Sequence, residues 1–314
     1  VFHYPDKISL PSYRPTYKGN AKQVRQAVAC IQESKRPLIY AGGGIVTSHA
    51  CSELTELAER MQIPVVTSLM GKGAMRCSNP LNLGPVGMHG SKYANMAVTE
   101  CDLLIAVGAR FSDRVTGKVD EFAPHAKVIH IDIDPAEIGK IIDPAVPIVG
   151  DAKVVLGAIN DRLEKTEAQP VGAEWVKTVC EWRDRWPLYT EDFEDFPGAI
   201  APEVVLSHLS DKLDPEASIV TTEVGQHQMW AHQNIHREHA RTFLSSGGLG
   251  TMGFGFPAAI GAKVGCPEDE VVCIAGDGSF QMNSQEMATA AINKVGVKVL
   301  IMDHRALGMV HQWQ

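Results

Sequence analysis

The chain has 314 residues, 45% hydrophobic and 21% charged, enough for about two globular domains and too balanced for a disordered, collagen-like or coiled-coil chain. Its net charge of −8 favours solubility and argues against a nucleic-acid partner. No apolar run reaches the ~18 residues of a membrane span, residues 1–10 lack a signal-peptide pattern, and the seven cysteines include no CxxC pair, which reads as buried thiols in a reducing compartment.

Residues 1–18, punctuated by Pro5, Pro11 and Pro15, read as an extended linker. Helical spacing follows at Val24, Ala27, Val28 and Ile31. A short buried strand over 38–41 ends in Gly42-Gly43-Gly44. A second helix is predicted around Cys51, Leu54, Leu57, Ala58 and Met61, then strands over 65–67, 103–107 (ended by Gly108), 128–133 and 148–149 (ended by Gly150-Asp151). Continuous apolar strands alternating with amphipathic helices predict a doubly wound parallel α/β domain over 19–165. Residues 166–200 are charged, carry Trp175, Trp182 and Trp186, and read as a connecting helix and linker. A second α/β pattern fills 201–314, with strands over 218–221, 271–275 and 297–301 and a glycine-rich run at 247–261 that enters a helix. A whole doubly wound domain needs more strands, so this second domain is expected to be partial, cut at its C-terminal side.

Glycines at strand ends let phosphates or rings approach the backbone. They occur at 42–44, 71–73 and 108. Gly42 and Gly44 satisfy the start of the NAD fingerprint, but Thr47 stands at the third glycine and the next strand ends in Thr67-Ser68 without an acid. A standard NAD site is therefore disfavoured, and plain tight turns remain an equal reading. Gly108 is followed by Arg110 and Arg114. Two arginines at the carboxyl end of a strand suit phosphate or carboxylate, whereas either one alone would read as a surface ion pair. Asp132, also at a strand end, could accept from a ribose hydroxyl. Gly276-Asp277-Gly278-Ser279-Phe280 directly follows a buried strand, with a helix pattern from Asn283. This fits an anion at a helix N-terminus, bridged to Asp277 by a divalent metal. Asp303-His304 ends the next strand, which a β-α-β unit would bring beside Asp277.

Gly276-Asp277-Gly278 with a polar pair one strand later resembles the thiamine-diphosphate motif. Glu223-Val224-Gly225-Gln226-His227-Gln228-Met229-Trp230, Ser246-Gly247-Gly248-Leu249-Gly250-Thr251-Met252-Gly253 and Leu307-Gly308-Met309-Val310-His311-Gln312-Trp313-Gln314 resemble the acetohydroxyacid (acetolactate) synthase catalytic subunits. So do Leu69-Met70-Gly71, Gly87-Met88-His89-Gly90 and the run from Gly108 to Gly117. The likeness spans nearly the whole chain.

The resemblance implies thiamine diphosphate, Mg²⁺ and FAD as cofactors. The implied reaction decarboxylates pyruvate and condenses the product with a second pyruvate or 2-oxobutanoate, the first common step towards valine, leucine and isoleucine. It places FAD, with no net redox role, against Gly43, Gly44, Leu69, Met70, Met88, Gly108, Arg110, Asp132, Ile133 and Asp151. Gly225, Gln226 and His227 would meet the diphosphate, with Gly276, Gly278 and Ser279 around the metal ligand Asp277. Met252 would wedge the cofactor into a bent shape, Met309 and Val310 would pack on it, Arg114 would hold the second oxo acid, and Trp313 would favour the larger acceptor. The family has Asn where this chain has His304, and imidazole nitrogen suits Mg²⁺ less well than an amide oxygen. His304 as a metal ligand, His304 turned away, and His304 as a plain loop residue all stay open.

The family's pyrimidine-binding domain with its catalytic glutamate would precede Val1. This chain alone is therefore expected to form no acetolactate, which assay of the purified protein checks. Another thiamine-diphosphate decarboxylase, oxidase or carboligase, and a non-catalytic FAD-binding or structural module, are the competing readings; Arg114, Met309 and Trp313 favour the acetohydroxyacid synthase resemblance over the former. The resemblance further implies a homodimer or tetramer, a small regulatory subunit, and a cytoplasmic location, or a plastid one in a plant.

Overall fold

The computed structural model describes His3, residues 15–188, 200–303 and 305–314, and for Trp313 the backbone alone. Most of the predicted linker at 1–18, part of the one before 200, and His304 lie outside the described residues. The described chain forms two parallel sheets flanked by helices.

The first sheet holds β1 (Pro37–Ala41), β2 (Val65–Thr67), β3 (Asn82–Pro85), β4 (Leu103–Val107), β5 (Lys127–Asp132) and β6 (Val146–Val149). Their order is β3-β2-β1-β4-β5-β6, with every pairing parallel. This is the dinucleotide-binding order, and its direction reverses between β1 and β4. β1 and β4 are buried at every residue because helices cover both faces. One face takes the apolar stripes of helices Ala21–Glu33, Cys51–Met61 and Ala152–Lys165. The other takes helix Lys92–Glu100 and helix Ala173–Arg185. The charged sequence of the latter predicts a connector. Instead it buries Trp175 and Val179 against the first sheet, with Trp182 edge-on to Trp175 at 5.4 Å.

The second sheet holds β7 (Ser218–Thr222), β8 (Phe243–Leu244), β9 (Glu270–Gly276) and β10 (Lys298–Met302), in the order β10-β9-β7-β8 and again parallel. β9 and β10 pair so that Met302 faces Gly276, which sets the end of β10 beside Asp277. β3 and β8 escape sequence reading because one carries Asn, Gly and Pro and the other has two residues. The helix expected from Asn283 is corrected: a five-residue helix starts at Asp277 itself, and a separate one spans Glu286–Ile292.

Segment 72–89 joins the two halves. Lys72 Nζ donates to the His232 carbonyl at 2.6 Å, Gln233 Nε2 donates to the His89 carbonyl at 2.8 Å, and the Ser78 amide donates to Glu238 at 3.0 Å. Among the described residues no helix is long and apolar enough to cross a membrane.

Candidate functional site

The carboxyl ends of both sheets open onto one cleft of ≈ 1310 Å³. Open parallel sheets bind ligands at this end, beside the reversal of strand order. The volume exceeds the usual ~300–1,000 Å³ of a single small-molecule pocket.

On the first-sheet side the cleft is lined by Gly43, Gly44, Leu69, Met70, Met88, Gly108, Arg110, Arg114 and Asp132. The close approach of two chain segments requires the glycines. A Cβ on Gly44 would lie 2.5 Å from the Gly108 Cα, and Gly108 itself sits at φ +57°. Bare backbone is thus presented where β1 and β4 end. Arg110 is exposed and has no ion pair among the described residues, while Arg114 reaches Asp113 at 3.9 Å across a water-exposed rim. Both arginines line the cleft, where a guanidinium group suits an anion. Burial raises the carboxyl of Asp132 above its ordinary range and lowers His89, which Arg114 lowers further. Ile133 and Asp151 do not reach this cleft. They line an adjoining pocket of ≈ 220 Å³ that shares Gly44, Gly108 and Asp132 with it. Asp151 also caps helix Ala152–Lys165, accepting from the Val154 amide at 3.1 Å.

On the second-sheet side the lining includes Gly225, Gln226, His227, Met252, Gly276, Asp277, Gly278, Ser279, Met309 and Val310. Helix Gln226–Asn234 starts after Gly225 with no side-chain cap, and such a helix start suits an anion. A Cβ on Gly276 would fall 2.8 Å from the His227 ring nitrogen Nδ1, so glycine lets the two loops close. Ser279 is buried and exchanges hydrogen bonds with the Gly276 backbone at 3.1 Å, fixing the turn that presents Asp277. Among the described residues no three His, Cys, Asp or Glu side chains cluster as a metal cage. A hard cation at Asp277 would draw its other ligands from phosphate and carbonyl oxygens, as Mg²⁺ does. His304 lies outside the described residues; Trp313 falls in helix Gly308–Trp313.

Several lining residues carry no assigned role in the sequence reading: Tyr40 and His232, and His89 and Gln228, which stand only as members of motif runs. Tyr40 is hidden in a wholly apolar strand pattern. Gln228 and His232 stand four apart, on one face of a helix, which is the signal that could have found them. His232 is 4% exposed, and its Nε2 has no partner among the described residues. Burial pushes it well below the usual histidine range, helped by Lys72 and His89.

The two halves of the cleft match two parts of one family. The profile of the thiamine pyrophosphate enzyme central domain matches residues 24–159, and that of the thiamine pyrophosphate enzyme C-terminal TPP binding domain matches residues 223–314. The chain belongs to the thiamine pyrophosphate enzymes. It is 51% identical over 317 residues to a probable acetolactate synthase large subunit of Methanocaldococcus jannaschii, covering 99% of this chain and 53% of that one. It is 48% identical over 316 residues to an acetolactate synthase large subunit of Corynebacterium glutamicum, covering 100% and 50%. Against the acetolactate synthase large subunit of Parasynechococcus marenigrum it is 52% identical over 291 residues, covering 93% and 46%. The chain spans about half the length of the curated relatives it matches.

Proposed function

We propose that the chain forms the FAD-binding and thiamine-diphosphate-binding parts of an acetolactate synthase catalytic subunit. The observation that carries this reading is the single cleft, in which glycine-lined strand ends of one sheet face the Gly225–His227 and Gly276–Ser279 turns of the other. Its volume and its split lining fit two cofactors better than one.

Thiamine diphosphate, when bound, supplies the carbon at which a 2-oxo acid loses CO₂ and from which a two-carbon unit passes to a second oxo acid. The chain's own residues bind and orient. Asp277 would hold Mg²⁺, and the Gly225–His227 turn at the start of helix Gln226–Asn234 would hold the diphosphate. Met252, Met309 and Val310 press on its rings and exclude water. Arg114 takes the carboxylate of the second oxo acid, pyruvate or 2-oxobutanoate, and Trp313 selects between them. On the other side Gly43, Gly44, Leu69, Met70, Met88, Gly108, Arg110, Asp132, Ile133 and Asp151 would hold FAD. The working assembly is a homodimer or tetramer with a small regulatory subunit. It resides in the cytoplasm of a microbe or the plastid of a plant.

A visible absorption spectrum of the purified protein, before and after adding FAD and removing free flavin, tests the first half. A retained flavin band is expected, and its absence removes FAD from the reading. Calorimetric titration with thiamine diphosphate, with and without Mg²⁺, tests the second half. Binding that needs Mg²⁺ and is lost in Asp277→Ala is expected; Mg²⁺-independent binding refutes the role given to Asp277.

A further inference from the structure

Glu223 is fully buried just past the end of β7 and does not line the cleft. A buried carboxylate is costly unless its oxygens are satisfied. Here two backbone amides of a distant segment satisfy them: Oε2 accepts from Gly253 at 2.6 Å and Oε1 from Phe256 at 3.0 Å. Among the described residues no cation pairs with it. The two bonds therefore fix one turn of backbone.

That turn carries Met252, which lines the cleft. Gly253, next to it, sits at φ +89°, so the chain bends sharply there, and its carbonyl accepts from Asn283 Nδ2 at 2.6 Å. The Gly253 residue is thus gripped at its N–H by Glu223 and at its C=O by Asn283. Gly255 lies so close to the strand end that a Cβ would fall 2.5 Å from the Glu223 nitrogen. On its other side Glu223 runs directly into Val224, Gly225 and Gln226, which also line the cleft. One side chain therefore ties the Met252 turn to the loop assigned to the diphosphate.

We propose that Glu223 is a positioning residue of the cofactor site, holding Met252 at the spacing from the 225–227 loop that thiamine diphosphate requires. The inference rests on the cleft assignment under Proposed function. Glutamine is the informative replacement, because its amide N–H₂ must oppose one of the two backbone N–H groups.

The test is a double-mutant cycle on thiamine diphosphate affinity, measured by calorimetry with Mg²⁺ on the wild type, Glu223→Gln, Met252→Ala and the double variant, with far-UV circular dichroism as the folding check. Glu223→Gln is expected to bind roughly tenfold more weakly, and the double variant no more than about twofold more weakly than Met252→Ala alone, since residues that act through one another are non-additive. A folded Glu223→Gln that binds like the wild type overturns the proposal. So do losses that multiply in the double variant, because Glu223 would then act independently of Met252. Should Glu223→Gln not fold, Glu223→Asp, which keeps both acceptor oxygens one methylene short, enters the same cycle with the same criteria. Absence of binding by the wild type overturns the cleft assignment itself.

Discussion

β4 and β10 carry the same kind of sequence, LLIAV and KVLIM, yet they live in different surroundings. β4 lies centrally in the six-stranded sheet and is buried at every residue, whereas β10 forms an edge of the four-stranded sheet and is buried at none. Ile301 on β10 remains 45% exposed, and helix Glu286–Ile292 buries none of its residues. An apolar run specifies a strand, and the cover supplied by other elements specifies how much that strand stabilises. The contrast does not extend to the ligand-facing ends. Both sheets deliver glycine-rich turns to the same cleft, so the less covered region contributes to the site on equal terms with the other.

The comparison breaks most readily in the core. Ile105→Ala, at a fully buried site on β4, is expected to cost about 3 kcal/mol by urea denaturation, against less than about 1 kcal/mol for Ile301→Ala. Equal costs would mean that β10 is covered in solution. The seam gives the next largest effect. Burial lowers Lys72 from 10.5 to about 8, with Arg237 adding to the shift and Cys77 opposing it, while its ammonium donates to the His232 carbonyl and lies over the Phe243 ring. The folded state then binds fewer protons than the unfolded state between pH 8 and 10.5, so this group's contribution to stability rises with pH through that window and is lost as pH falls through 8. The stability of the wild type relative to Lys72→Met is expected to climb by on the order of 2–3 kcal/mol across it. A flat difference would place Lys72 in water and loosen the seam.

The two half-sites can be separated by paired glycine substitutions. Gly44→Ala drives a Cβ into the Gly108 backbone and is expected to cost about 1–3 kcal/mol and to abolish flavin uptake. At Gly278 the nearest atom to a Cβ is Leu307 Cδ2 at 3.6 Å, so Gly278→Ala is expected to leave thermal stability unchanged while weakening thiamine diphosphate. Arg114→Ala gives the smallest change in stability. Its exposed pairing with Asp113 at 3.9 Å is worth less than about 0.5 kcal/mol, so only the apparent KM for the acceptor oxo acid in the assembled enzyme is expected to move.

Much of this is legible in the chain. The runs ending at Ala41, Val107 and Ala275 form β1, β4 and β9 because their apolar patterns and terminal glycines are local properties. The sheet has the dinucleotide-binding strand order, yet β2 ends in Thr67 with no acid, so the order of strands and the chemistry at their ends are separate facts. Less legible are β3 and β8, whose residues pair as strands only because a neighbouring strand offers its edge. Helix Ala173–Arg185 resembles a connector in sequence because the burial of Trp175 depends on a sheet far away in the chain.

The sequence by itself determined the strand-and-helix alternation, the two parallel sheets, and the glycines, arginines and Asp277 at strand ends, since each follows from periodicity or from backbone chemistry within a few residues. The tertiary structure decided which of these residues share a space. It sent Asp151 and Ile133 to an adjoining pocket and brought Tyr40, Gln228 and His232 into the cleft. It also buried Glu223 beneath the Met252 turn. Those outcomes depend on packing and hydrogen bonding between segments far apart in the chain, and no local pattern encodes them.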